Sequence, residues 1–328
     1  MEHMPNWNEL ISELNEEAAK PSTDNNQTSP FDRIRRKYLN KLRDLTKRNV
    51  LAYYSGWLQK SSTPGVPPAS LAINDNDMNG FMACLHRMDK SQGLDLILHT
   101  PGGDLAAVEA IITYLKKHFN GNMRAIVPQL AMSGGTMMSL ACNEILMGKH
   151  SSLGPVDPQF NGIPAQGIIE EFGTALNDVQ KNQSAALVWQ PIIQKYSPAL
   201  VGSCQKAIAL AETLAISYLA TGMFAKHLDP NADAKKAVQF FNNHGRTLMH
   251  ARHIDANEAL AQGLKIVPLE GDNTLQDIVL TIHHAFCHTF SSTGAVKIIE
   301  NHMGIAMVDS IQHIQMIQPQ HQKPTVAV

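Results

Sequence analysis

The sequence predicts an α/β fold with a mainly parallel sheet and a helical C-terminal part. Three observations support it. LDLILHT (94–100) and MRAIVPQL (123–130) are nearly continuous apolar runs, the pattern of strands covered by helices on both faces. Segments of helical periodicity alternate with them, at 76–89 and at LAAVEAIITYLKKHF (105–119). Strand–helix–strand repetition of this kind builds parallel sheets with right-handed crossovers. Beyond residue 163, apolar residues keep helical spacing over 164–180, 185–196 and 199–222, with Pro191 and Pro198 as breakers.

Taken in order, residues 6–19 suit a short amphipathic helix, and PSTDNNQTSP (21–30) is a polar, turn-rich linker. Residues 1–30 therefore precede a domain over 31–310, and 311–328 form a C-terminal tail. In FDRIRRKYLNKLRDLTKRN, Phe31, Ile34, Tyr38, Leu42 and Leu45 make one apolar stripe. The same helix carries eight Lys/Arg against two Asp. That charge is either a solvated face or a surface for an acidic partner. VLAYYSGW (50–57) is a strand, SGGTMMSLACN (133–143) a turn feeding a helix, and EILMG (144–148) a third strand after the two apolar runs. ANEALAQGLKIVPLE (256–270) is a helix stopped at Gly263 and then a short strand, and 275–290 is a further helix.

Composition narrows the function. Of 328 residues 44% are hydrophobic, enough for a substantial core, and the formal charge of −2 excludes a globally basic nucleic-acid binder. Cys84, Cys142, Cys204 and Cys287 stand singly with no CxxC, which excludes a disulfide scaffold and a cysteine-rich zinc module. The N-terminus lacks the basic and apolar regions of a secretory signal, and no window is apolar enough to span a membrane. A cytoplasmic protein is expected. No Walker motif or GxGxxG is present, so no cofactor is expected. His284 and His288 have the spacing of a helical metal pair beside His283. Without HExxH or an acidic partner they are expected to be solvent-facing or capping residues, and no metal is expected.

Two glycine pairs each close a buried strand. Thr100-Pro101-Gly102-Gly103-Asp104 offers exposed backbone amides where ligands of α/β sheets bind. Ala131-Met132-Ser133-Gly134-Gly135-Thr136 puts a serine on a sharp strand-to-helix turn, the placement a nucleophile needs. Parallel neighbouring strands would set the two loops side by side, one giving oxyanion donors and the other the nucleophile. A side chain added at Gly103 is then expected to intrude where the carbonyl oxygen sits.

HTPGGD, followed by AMSGGTMMSLACNEILMGKHSSLGPVDPQ, resembles the ClpP/crotonase superfamily. It is most similar to the SppA-like signal peptide peptidases and, more narrowly, to the "serine dehydrogenase proteinase" group. The resemblance covers roughly residues 50–305 and includes WQPIIQKYSP and HIDANEALAQGL. It implies a crotonase-like spiral of ββα units, a serine peptidase acting on peptide or protein substrates, and homo-oligomers. By position Ser133 matches the nucleophile, and Gly103 and Gly134 match the oxyanion amides.

ClpP-like enzymes use His and Asp to activate the serine, whereas SppA-like ones use a lysine. Lys181, 27 residues after Gly154, has the spacing; Lys195 follows, flanked by Ile192, Ile193 and Tyr196, which would bury it; Lys206 is third. His150 with Asp157 is the His-based alternative. Two other functions stay open: a catalytically degenerate scaffold using the basic 33–48 helix as its partner surface, and a crotonase-type acyl-CoA enzyme. The latter has no need of a serine at position 133.

Overall fold

The structure, a computed structural model, describes residues 4–20, 28–160, 162–242 and 251–311. Most of the expected linker and tail, 21–27 and 312–328, lies outside those residues. Five strands run parallel: β1 (Asn49–Ser55), β2 (Leu94–His99), β3 (Met123–Val127), β4 (Ile145–Met147) and β5 (Ile266–Pro268). Beyond β1 the sheet continues antiparallel through β6 (Ala295–Asn301) and β7 (Ala306–Ser310), giving the order β7-β6-β1-β2-β3-β4-β5.

Every residue of β1, β2 and β6 is buried. Alternation divides β2 between two cores. Leu94, Leu96 and Leu98 pack with the helices Leu105–Phe119 and Gly134–Leu140, while Ile97 packs with Pro30–Thr46 and Asn273–Ser292. Asp95 survives inside β2 because Arg48 and Arg124 reach its Oδ1 at 2.7 and 2.8 Å. The helix Leu105–Phe119 begins where the Asp104 side chain accepts from the Ala106 and Ala107 N–H groups, and ends on left-handed Asn120.

The basic helix, Pro30–Thr46, uses its charge within the chain. Arg33 pairs with Glu17 and Lys37 with Glu13, while Arg35 and Arg36 share the fully buried Glu300 of β6 at 2.7 and 3.0 Å. Much of its charge thus faces the N-terminal helix Trp7–Ala19 and β6. Pro191 does not break its helix, which runs Ala186–Ile193. With Ala165–Lys181 and Leu200–Thr221 it forms a helical arm. A small cluster of its own, Ala165, Ile168 and Cys204, holds the arm together. All four cysteines are buried, and among the described residues no helix is long and apolar enough to cross a membrane.

Candidate active site

The two glycine loops meet, as the adjacency of β2 and β3 predicts. Past the sheet the chain forms a second, shorter layer. Thr100 N–H donates to Leu130 O at 3.0 Å and Met132 N–H to Thr100 O at 3.0 Å. Leu130–Ala131 pairs in parallel with Ser152–Leu153. Ile73 bridges the first loop from the other side, donating to Gly102 O at 2.8 Å and accepting from Asp104 N–H at 2.9 Å.

Ser133 sits on the turn with φ 49° and ψ −109°, a region side chains avoid, immediately before the helix Gly134–Leu140. The packing around it explains the glycines. Gly102 has φ 97°, and a Cβ there would meet Ser133 Cβ at 2.6 Å and Gly134 N at 2.8 Å. The Gly103 N lies 3.3 Å from where a Gly134 Cβ would stand. Among the described residues neither the Gly103 nor the Gly134 N–H has an acceptor, and the Ser133 hydroxyl makes no hydrogen bond. Two unused amides beside an unused hydroxyl are what acyl transfer requires of an oxyanion site and nucleophile. Thr136 fastens this turn to the next loop. Its Oγ1 lies 2.8 Å from Ala131 O and 2.9 Å from Gly154 O, and it accepts from Gly154 N–H at 2.8 Å.

Ser133, Gly102, Gly103 and Gly134 line one cavity of about 640 Å³. Trp57, Leu71, Met137, Val156 and Phe160 give it apolar walls. Its charged lining side chains are Asp104, exposed and already capping a helix, and Asp157, buried at 2% exposure. The structure brings Ser133, Gly103, Gly134 and Asp157 together. It does not bring a lysine or histidine to that lining. Lys181 is exposed at the last position of its helix. Lys195 is exposed too, because Ile192 and Ile193 are themselves only half-buried on the arm and cannot enclose it. Lys206 is exposed beside Ala207, which lines the cavity. His150 is exposed after β4, and its electrostatic neighbours are Glu270, His283 and His284.

The histidines of the helix Asn273–Ser292 are not at the surface as expected: His283 and His288 are buried. His283 stacks edge-on to His99, the last residue of β2, with ring centroids 4.9 Å apart, and His99 lies 4.4 Å from the Trp57 ring. Burial, followed by the neighbouring His284 and His150, holds His283 down to about 3. Burial and then His283 hold His99 well below the ordinary histidine range. Among the described residues, no three His, Cys, Asp or Glu side chains form a group that could hold a metal ion.

Three residues near the site escape sequence reasoning. His99 reads as a strand end and Trp57 as the end of β1, yet Trp57 begins a short helix and walls the cavity. The third, Lys297, is fully buried in β6. Its signal was available: a lone lysine inside AVKIIEN is a charge that must find a partner.

Residues 33–197, half of the chain, match the family described as ClpP-like SDH-type serine proteinase. Two proteins of Methanocaldococcus jannaschii, each named as uncharacterized, are similar to the chain. One is 40% identical over 103 residues, 31% of this chain and 36% of that protein. The other is 39% identical over 100 residues, 30% of this chain and 34% of that protein. The chain therefore spans about a third of the length of the curated relatives it matches.

Proposed function

Because the chain belongs to the family of ClpP-like SDH-type serine proteinases, we propose that it is a serine peptidase cleaving peptides or proteins through an acyl-enzyme on Ser133. The observation that carries this reading is the strained Ser133 turn set against two amides with no other acceptor. In the first step Ser133 Oγ attacks the scissile carbonyl carbon while a base takes its proton. The carbonyl oxygen becomes an oxyanion between the N–H groups of Gly103 and Gly134. The leaving amine takes the proton from the base, and water then releases the acyl group by the same sequence in reverse. The short second layer past the sheet supports a crotonase-like spiral of ββα units of the SppA-like type.

We assign the base to a lysine of the helical arm. Lys181 has the spacing and Lys206 the neighbourhood, since Ala207 lines the cavity; Lys195 is the third. Whichever of the three serves must lose its solvation to be neutral at working pH. The degenerate-scaffold reading is favoured by one observation, the lack of lysine and histidine among the cavity-lining residues. Fluorophosphonate labelling decides between them. Labelling that disappears in Ser133→Ala supports the peptidase, and replacing each lysine by alanine then finds the base. A folded parent that takes no label would leave the scaffold.

A further inference from the structure

Lys297 is enclosed completely, and so is its partner Asp77, whose Oδ1 lies 2.6 Å from Nζ. Asp309 Oδ2 stands farther off at 3.8 Å. The ammonium also donates to the Ala72 carbonyl at 3.0 Å. Asp77 Oδ2 accepts from the Tyr53 hydroxyl at 2.8 Å and from the Asn74 N–H at 3.1 Å. The pair thus grips the chain on both sides of Ile73: the carbonyl before it through Lys297, the N–H after it through Asp77.

Ile73 is the residue that bridges the glycine loop. Its N–H donates to Gly102 O and its carbonyl accepts from Asp104 N–H, so it holds the peptide units on each side of Gly103. The contact has no slack, since a Cβ on Gly103 would stand 2.2 Å from Ile73 O and 2.3 Å from Ile73 N. Any shift of Ile73 must therefore rotate or displace the Gly103 amide.

A buried ion pair is by itself a poor source of stability, because apolar residues of equal volume serve as well or better. Directional charge-assisted bonds to backbone are what such residues could not replace.

We propose that the Lys297–Asp77 pair positions the Gly103 N–H, fixing Ile73 and through it the oxyanion loop. Lys297 is a positioning residue here, held by two carboxylates and a carbonyl rather than free to serve as a base. Its catalytic meaning rests on the peptidase reading, whereas the loop's dependence on the pair does not.

The test uses the full chain and two variants. Lys297→Met combined with Asp77→Asn removes both charges, leaving neither buried alone. Asp77→Asn alone keeps the side-chain shape but leaves the buried Lys297 ammonium with Asp309, 3.8 Å away, as its remaining carboxylate. Amide hydrogen exchange is measured for 69–77 and 100–105, with 123–127 as the internal reference. Exchange in the first two segments is expected to rise about tenfold or more in both variants, with 123–127 unchanged. If the double variant loses protection everywhere, Asp77→Asn alone decides. Parental exchange at 100–105 in the deciding variant overturns the proposal.

The second readout is the rate of fluorophosphonate labelling. Its maximal value is expected to fall about 10²-fold with the half-saturating concentration unchanged, as for a displaced oxyanion donor. Parental labelling in a variant with a loosened loop also overturns the positioning role. A parent that takes no label removes the peptidase reading alone, and exchange still judges the pair.

Discussion

Ser133 stores strain: φ 49° costs a non-glycine residue about 1–3 kcal/mol. Glycine relieves that cost and alanine does not. Ser133→Gly should therefore be more stable to urea than Ser133→Ala, by about 1 kcal/mol of unfolding free energy, while neither takes fluorophosphonate. Equal midpoints would mean that the turn is unstrained. At Gly103 the geometry changes the expected consequence of a side chain. A Cβ there points at the Ile73 backbone and not at the carbonyl site. Even Gly103→Ala must push Ile73 away and turn its own N–H. Loss of one oxyanion donor costs about 2.7–4 kcal/mol, or 10²–10³ in kcat. Steady-state peptide cleavage by Gly103→Ala should fall by that factor, and parental turnover would place the site elsewhere.

Among the elements, the helix Asn273–Ser292 shows how burial of histidine couples fold to pH. It packs His283 against Tyr54, His99 and Cys287, and burial pushes the Cys287 thiol up to about 12. An unfolded histidine titrates near ~6.5, whereas folded His283 titrates at about 3 and His99 also low. Between those values the unfolded chain binds more protons, so stability rises with pH. The contribution is complete above the unfolded value and lost as pH falls through the window, at about 1.4 kcal/mol per unit for each histidine. Urea midpoints should drop as pH falls below about 6.5, and less steeply in His283→Leu. A level midpoint in the parent would contradict the buried neutral state. The same scale shows what was legible in the sequence. The helix Leu105–Phe119 and the runs at β2 and β3 were readable because unbroken apolar or helical periodicity determines them locally. β6 and β7 were not, since Lys297 and Glu300 interrupt the pattern and their counter-charges, Asp77 and Arg35, come from distant parts of the chain. The glycine loops were legible because each closes a readable strand. A base was not, because among the described residues no lysine or histidine lines the cavity.

For the molecule as a whole, that arm is the feature a single chain leaves unresolved. The helix Leu200–Thr221 is apolar around much of its circumference, yet among its residues only Cys204, Ala211, Ala215, Tyr218 and Leu219 are buried. Nearby, Leu176, Leu187 and Val188 are 61%, 78% and 64% exposed. An apolar surface of this kind on a folded protein marks a contact. Fully burying such a side chain contributes at most about 1.5–3 kcal/mol, and less for these partly covered ones, so three on each copy offset part of the cost of association. We propose that copies of the chain associate through their arms, in a closed symmetric assembly. Light scattering at about 10 µM should then give a multiple of the 36.0 kDa chain mass. Leu187→Glu with Val188→Glu puts two like charges on the contact and should return the mass to that of one chain. Circular dichroism should remain unchanged, because neither side chain belongs to a core. A parent that scatters as a single chain would overturn the assembly, and an unchanged multiple in the double variant would move the contact off this arm.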